Sequence, residues 1–293
     1  MLLSIITLNY KKSELTLACM QSLHDQFSKE FSSDQMELLI VDNDSQDDSV
    51  KILRQEIETK GYKNMQVIAN PTNSGFGAGC NTGAKASKAE FILFQNNDTL
   101  VKDAGPLRMA LYMQEHPEIA ILGGQMRNFD GTLQASTGKF YTLGYAALLL
   151  VGGQRFGLVD RSPEKIERVD WVKGSLLMMR RDVFEELKGF DERIFMYTED
   201  MELCYRASLA GHAVYFYPDV QVLHKDQGST NKTFAIVNIY KNLLFFYKKH
   251  RSKAEYQMMR AMLVTKAKVL IRVGKVSNKK YLVETYEKAL AAI

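Results

Sequence analysis

The sequence predicts an α/β fold, a mostly parallel sheet with helices on both faces, followed by a helical C-terminal extension. Three observations predict it. Short apolar runs at residues 2–8, 36–41, 65–69 and 91–95 alternate with stretches of helical periodicity, the grammar of strand–helix–strand units whose strands are buried on both faces. The 293 residues with 46% hydrophobic content suffice to bury one large core. Charge is also divided unevenly: residues 1–231 hold 24 Lys and Arg against 31 Asp and Glu, net −7, whereas 232–293 hold 14 against 3, net +11. The expected organisation is a large α/β domain over 1–231 and a basic amphipathic helical module over 232–293.

Residues 2–8 form the first strand, and 14–26 a helix with Leu15, Ala18, Cys19, Ser22 and Leu23 at helical spacing. A second strand at 36–41 leads to a helix over 44–60 with Val50, Leu53 and Ile57 on one face and Asp44 or Ser45 as its cap. A strand at 65–69, a short helix at 79–86 and a strand at 91–95 follow. The helix over 104–114 ends at His116-Pro117, because proline disfavours a helical conformation in the residue before it, and 119–123 give a fifth strand. Over 127–168 the order loosens, with Asn128-Phe-Asp-Gly-Thr132 as a hairpin turn, and the stretch reads as a lid or acceptor-facing insertion. Then come a strand at 175–179, a helix at 182–188 closed by Gly189, a helix at 200–210 closed by Gly211, and two strands at 213–217 and 220–224 joined through Pro218-Asp219. Helices over 233–249, 254–273 and 279–291 complete the chain.

Composition removes several classes. Cys19, Cys80 and Cys204 stand far apart without CxxC spacing, which argues against a disulfide framework and a zinc site and fits a reducing compartment. The opening apolar run is too short for a signal peptide and lacks a basic leader, and no run of about 18 apolar residues is present to span a bilayer. No nucleic-acid-binding module surrounds the C-terminal charge, so nucleic acid is not an expected partner.

The chemistry concentrates where strands end, since open α/β sheets bind ligands beyond the carboxyl ends of their strands. Asp42 ends the second strand; it either caps the following helix or accepts the imide N–H of a pyrimidine. The loop Asn73-Ser-Gly-Phe-Gly-Ala-Gly-Cys-Asn81 lets backbone approach a ligand and opens a helix whose N-terminus favours anions. It matches neither GxGxxG nor a P-loop. Asn96-Asn97-Asp98 follows the apolar run at 91–95 and is either a strand-ending turn or a metal site, because Mg2+ and Mn2+ reach a nucleotide diphosphate through one or two carboxylates. His224 ends a late strand and is either structural or a further ligand. Glu199, Asp200 and Glu202 gather at a helix start, where the first-turn N–H groups stabilise anions; a carboxylate there can also serve as a general base.

Six ordered motifs resemble a known family. Thr7-Leu-Asn-Tyr10, Val41-Asp-Asn-Asp-Ser45, the loop from Asn73 to Asn81, Asn96-Asn-Asp-Thr99, Gly189-Phe-Asp-Glu192 and Phe195-Met-Tyr-Thr-Glu-Asp200 resemble the inverting family 2 glycosyltransferases of GT-A fold, which is Rossmann-like, and their bacterial rhamnosyltransferase-like branch in particular. The resemblance covers about residues 2–230. It implies that Thr7, Asn9, Tyr10, Asp42, Asn43, Ser74, Gly75, Phe76 and Asn97 bind the nucleotide, that Asp98 binds Mg2+ or Mn2+, and that Asp200 deprotonates the acceptor, while His224 stays a candidate further ligand on its position alone. Trp171, Lys173, Gly174, Ser175 and Glu199 would border the donor sugar or acceptor, with an exchange of roles between Glu199 and Asp200 left open. Asn96 stands where many members have Asp, and Glu202 where Asp is common.

The expected reaction moves a sugar from a dTDP- or UDP-linked donor, L-rhamnose from dTDP-rhamnose foremost, to a polyprenyl-diphosphate-linked saccharide in cell-surface polysaccharide assembly. The alternatives are a UDP-hexose-dependent enzyme of the same family, a non-catalytic nucleotide-sugar-binding assembly subunit, and a nucleotidyltransferase. Ile236, Tyr240, Leu243, Leu244 and Tyr247, and in the next helix Met259, Met262, Leu263, Leu270 and Val273, recur at helical spacing among Lys and Arg. That pattern suits an anionic membrane surface, a homodimer or both, and the expected location is cytoplasmic, peripheral on the inner face of the cell membrane.

Overall fold

The computed structural model describes residues 1–152, 160–225 and 231–293. The chain divides into two units, one of Met1–Gly138, Arg161–Phe195 and the chain from Glu199 through the last strand, the other of a short helix after Lys139, Met196–Thr198 and the C-terminal helices.

In the first unit the strands are β1 Leu3–Asn9, β2 Met36–Asp42, β3 Met65–Ala69, β4 Phe91–Gln95, β5 Thr99–Val101, β6 Ile119–Arg127, β7 Leu133–Gln134, β8 Thr137–Gly138, β9 Glu167–Arg168, β10 Trp171–Val172, β11 Leu176–Arg180 and β12 Ala213–His224. The main sheet runs β3-β2-β1-β4-β11-β6-β12-β5. The first four strands are parallel; β11 enters antiparallel between β4 and β6, and β12 runs parallel to β6. The ends of β1, β2 and β4 therefore share one edge with the start of β11, where Leu176 stands opposite Gln95.

Helices α1 Ser13–Ser32, α2 Ser49–Lys60, α3 Phe76–Ala86 and α4 Gly105–Glu115 connect the strands. Met20, Leu23 and Phe27 of α1 join Leu3, Ile5, Leu38, Ile40, Phe91, Leu93 and Met178 in the core. The helix over 44–60 begins only at Ser49, because Asp44 and Gln46 adopt left-handed backbone and Ser45 bonds to Asp42 instead of capping. The two strands at 213–217 and 220–224 are one strand, β12, whose pairing with β6 slips between Tyr217 and Gln221. Pro218 has no N–H to donate there, so the chain bulges and resumes with Gln221 opposite Gln125.

The loosely read stretch 127–168 contains the predicted hairpin, Asn128 N–H donating to Thr132 O at 2.8 Å, and a helix, α5 Leu143–Leu150, that the sequence reading did not find. The helix is apolar on every side and so has no 3.6-residue signal. Residues 153–159 of that stretch lie outside the described residues.

Two further helices of the first unit are α6 Arg181–Glu186 and α7 Glu199–Leu209. Glu202 on α7 is fully buried and pairs with Arg206 one turn on, Nε to Oε2 at 2.9 Å. The rest of the Arg206 guanidinium donates to Leu187 O at 2.5 Å and Gly189 O at 2.7 Å. Glu202 thus ties α7 to the loop that begins at Gly189.

In the second unit, α8 Lys232–His250, α9 Lys253–Val276 and α10 Lys280–Ala291 accompany α5. Ser252 and Glu255 form a reciprocal cap at the start of α9. Asn242 of α8 donates to Met196 O and Tyr197 O, both at 2.8 Å. Met258, Val269, Val273 and Val276 are exposed on α9, and Arg260, Lys268, Arg272 and Lys275 of the same helix are exposed among them. No described helix is long and apolar enough to cross a membrane.

Candidate active site

Parallel register puts Asn9 opposite Asp42 at the tips of β1 and β2. Asp42 is 2% exposed. Its Oδ2 accepts from Asn9 Nδ2 at 2.7 Å and Ser45 Oγ at 2.6 Å, and its Oδ1 from Ser45 N–H at 3.0 Å. Asn9 Oδ1 accepts from Thr16 at 2.7 Å, and Thr16 Oγ1 in turn accepts from Asn97 Nδ2 at 2.9 Å. Thr7 is buried and donates to Gln95 O at 2.8 Å, which joins β1 to β4, whereas Tyr10 is exposed with Lys11 over its ring. Thr16, one turn into α1, connects the Asp42 group to the Asn97 group and was missed by the motif reading, since a threonine early in a helix carries no distinctive signal.

Asn43 crosses to the glycine loop, donating to Asn73 Oδ1 and Gly75 O at 3.0 Å each. Gly75 has φ +95°, and a Cβ there would overlap the carbonyl of Phe195, to which Phe76 N–H donates at 2.7 Å. Glycine is required on both counts. Ser74 is exposed, its hydroxyl 3.3 Å from that of Thr72. Asn81 brackets Phe190 with its amide, accepting from the N–H and donating to the O at 2.9 Å each, and also reaches Glu192. The motifs at 73–81 and 189–195 are therefore one packed element.

Asn96 Nδ2 donates to Ser175 Oγ at 3.0 Å, and Asn96 N–H to Ser175 O at 3.2 Å. Asp98 and His224 meet: Nε2 lies 3.3 Å from Oδ1, with the His224 side chain 11% exposed and that of Asp98 8% exposed. Asp98 Oδ1 is buried and has no hydrogen-bond donor among the described residues. A buried carboxylate oxygen without a donor, beside an imidazole nitrogen, is a donor set that fits a divalent cation. A cavity of about 570 Å³ lined by Leu15, Ala18, Leu100 and Phe129 as well as Asp98 and His224 adjoins the pair.

Asp200 lies in the first turn of α7, and its Oδ1 accepts from Met201 N–H at 2.8 Å and its Oδ2 from Gly174 N–H at 2.9 Å. A Cβ on Gly174 would lie 3.4 Å from the Asp200 Cβ and 3.5 Å from the Phe76 ring. Ser175 to Asn96 and Gly174 to Asp200 thus link both acidic sites through consecutive residues. Burial raises the carboxyl pKa of Asp200, while the two N–H donors and the Lys173 charge oppose that rise. Glu199 has neither donor: burial, then the Asp200 charge, push it up to about 8. Burial thus acts against both carboxylates, and the Gly174 and Met201 donors offset it at Asp200.

This division has a measurable consequence. A carboxyl whose folded pKa is raised binds its proton more tightly in the folded chain, so its stabilising contribution is complete below the unfolded value of 4.5 and is lost as pH rises towards about 8. Glu199→Gln, which stays neutral, is expected to raise the melting temperature relative to wild type at the upper end of that window and to leave it unchanged at the lower end. Equal shifts at both ends, measured by thermal unfolding against pH, would rule out the buried-proton account.

Of the remaining sequence candidates, Trp171 is buried with its ring against Gly138, where β10 pairs with β8, and the Lys173 N–H donates to Ser136 O at 3.1 Å. Trp171 is thus part of the wall rather than a free surface.

Together, strand-tip Asp42, a glycine loop against a second acidic loop, and a carboxylate at a helix start are arranged on a fold of GT-A type. The chain belongs to the glycosyl transferase family 2, whose family model matches residues 4–188. It is 28% identical over 217 residues, 67% of this chain and 68% of the relative, to the N-acetylglucosaminyl-diphospho-decaprenol L-rhamnosyltransferase of Mycobacterium tuberculosis strain H37Rv. To rhamnosyltransferase WbbL of Escherichia coli K12 it is 29% identical over 137 residues, 46% of this chain and 52% of the relative. The mannosyltransferase PcManGT from Pyrobaculum calidifontis, solved with GDP-Man and Mn2+, shares the fold with a TM-score of 0.60 at 15% identity, over 99% of this chain and 85% of that one.

Proposed function

We propose that this glycosyltransferase is an inverting rhamnosyltransferase that moves L-rhamnose from dTDP-rhamnose to a polyprenyl-diphosphate-linked saccharide in cell-surface polysaccharide assembly. The observation that carries the chemistry is the unequal carboxylate pair. Asp200, aimed by the Gly174 and Met201 N–H groups, takes as its carboxylate the proton of an acceptor hydroxyl as that oxygen attacks the anomeric carbon. Its raised pKa makes it a stronger base than an exposed Asp. One displacement, with the nucleoside diphosphate leaving from the opposite face, inverts the anomeric configuration.

Asp42 accepts the pyrimidine imide N–H, Asn43 and the residues from Ser74 to Phe76 lie along the nucleotide, and Glu199, kept neutral, donates to a sugar oxygen. Asp98 and His224 would hold Mg2+ or Mn2+, which supplies positive charge for the departing diphosphate. Residues 1–231 form the catalytic domain. Residues 232–293 form a basic module that holds the enzyme against the cytoplasmic face of the membrane, supported by the exposed apolar side chains of α9 among cations and by about 1 kcal/mol for each basic residue near anionic lipid. The M. tuberculosis relative, named for a decaprenol-linked acceptor and rhamnose, supports donor and acceptor together.

The test is release of nucleoside diphosphate from a panel of dTDP- and UDP-sugars, with Mn2+ or EDTA, in the presence of a membrane lipid extract. Release of dTDP from dTDP-rhamnose that EDTA abolishes is the expected result. Turnover of a UDP-hexose instead replaces the donor assignment, since uracil and thymine present the same imide; pyrophosphate as product identifies a nucleotidyltransferase.

A further inference from the structure

His224 presents two ring nitrogens, and the residue that chooses between them lies in the stretch where the sequence shows no motif. Gln134, on β7, spends both amide hydrogens on oxygens: Nε2 donates to Asn128 Oδ1 at 2.7 Å and to His224 O at 2.9 Å. Asn128 is oriented in its turn, because its Nδ2 donates to Thr132 Oγ1 at 2.8 Å while the Thr132 hydroxyl donates to Asp130 at 2.6 Å. A flipped Gln134 amide would set oxygen against oxygen twice. Its Oε1 is therefore the atom that faces His224 Nδ1, at 2.8 Å, and it can only accept. The Gln134 backbone is pinned as well, its carbonyl accepting from Gln125 Nε2 at 2.8 Å, Ser136 Oγ at 2.9 Å and Ser162 Oγ at 3.1 Å.

The proton of a neutral His224 is then on Nδ1, and the Nε2 lone pair points into the site. Its neighbours there are Asn96 Nδ2, 3.4 Å away, which donates one hydrogen to Ser175 and has a second for this nitrogen, and the donorless Asp98 Oδ1 at 3.3 Å. Two lone pairs at that distance repel unless a proton or a metal cation lies between them.

We propose that Gln134 is the positioning residue of the cation site: by accepting the Nδ1 proton it holds His224 in the one tautomer whose Nε2 can ligate a metal beside Asp98. The inference rests on the metal reading above and extends it to a residue outside the six motifs. Neighbours that orient a ligating histidine commonly govern metal affinity by about 10–100-fold.

The test uses the full chain labelled with 15N-histidine, at a pH of about 8 where an ordinary imidazole is neutral, with Mn2+ alone as the probe. NMR reads the tautomer of His224, identified by the signal that His224→Gln removes, and EPR of free Mn2+ reads affinity without turnover. Wild type is expected to carry its proton on Nδ1. Gln134→Leu should lose that preference and bind Mn2+ about 10–100-fold more weakly. Gln134→Glu, which forfeits both donors but keeps an acceptor, should retain the tautomer, an outcome that a merely structural role would not give. A wild-type His224 protonated on Nε2, or a folded Gln134→Leu with unchanged tautomer and affinity, overturns the role of Gln134 and leaves the metal reading standing. Absence of Mn2+ binding by the wild type, or binding untouched by both Asp98→Asn and His224→Gln, overturns both.

Discussion

Asp200→Asn is expected to lower kcat by about 10²–10⁴-fold, the usual contribution of a positioned general base, with little change in donor KM. The amide keeps the size of the carboxylate and one oxygen that can accept from the Gly174 or Met201 N–H, so the start of α7 should hold. What it loses is the charge and basicity that the proposed general base requires. The hydrogen-bonded groups around Asp42 and Gly75, the proposed ligands of the nucleotide, are not made by Asp200, which is why binding and turnover should separate. In the wild type, kcat should fall towards acid pH at a value above the ordinary Asp range, because burial raises the Asp200 pKa and protonation removes the base. Steady-state rates for wild type, Asp200→Asn and Glu199→Gln decide the assignment. If Glu199→Gln is the dead variant and Asp200→Asn retains kcat within about tenfold, the two carboxylates exchange roles.

The largest effect on stability is expected from Arg206→Met. Glu202 is fully buried, and its ion pair with Arg206 is part of a clamp that also ends on Leu187 O and Gly189 O. Removing one partner of a buried pair leaves an uncompensated charge and typically costs about 3–5 kcal/mol. Urea denaturation should show that loss as a lower midpoint with an unchanged slope. The double variant Glu202→Met/Arg206→Met should recover part of it, since no charge then remains buried, although two carbonyls still lack their donor. A single variant within about 0.5 kcal/mol of wild type, the range of ordinary surface substitutions, would show that the clamp contributes nothing. The clamp also bears on function, because Asn81 and Gly75 hold the other face of the same loop, so activity should fall with its order.

Much of the sheet was legible because buried parallel strands are written as local runs: the sequence spans of β2, β3 and β4 agree with the structure to within a residue. Local signals failed where tertiary partners override them. Ser45 has the chemistry of a helix cap but bonds to Asp42, so α2 starts four residues later. Pro218 breaks the apolar pattern of β12 without breaking the strand, because the bulge is absorbed by pairing with β6. The helix α5 is apolar on every side and left no period to read.

The order of residues alone establishes that carboxylates stand at strand tips, that a glycine loop precedes a helix, and that the positive charge is concentrated after residue 231. These are properties of spacing and composition, and they need no knowledge of what lies opposite. Only the tertiary structure decides how differently two adjacent carboxyls are held: Asp200 accepts from the Gly174 N–H, 26 positions away, and from the Met201 N–H, whereas burial and the Asp200 charge push Glu199 up to about 8. It also decides that Gly75 lies against Phe195 and that Gln134 faces His224, 90 positions on. Charge state and tautomer follow from burial and from donors brought in across the fold, and neither is a property of the neighbouring sequence.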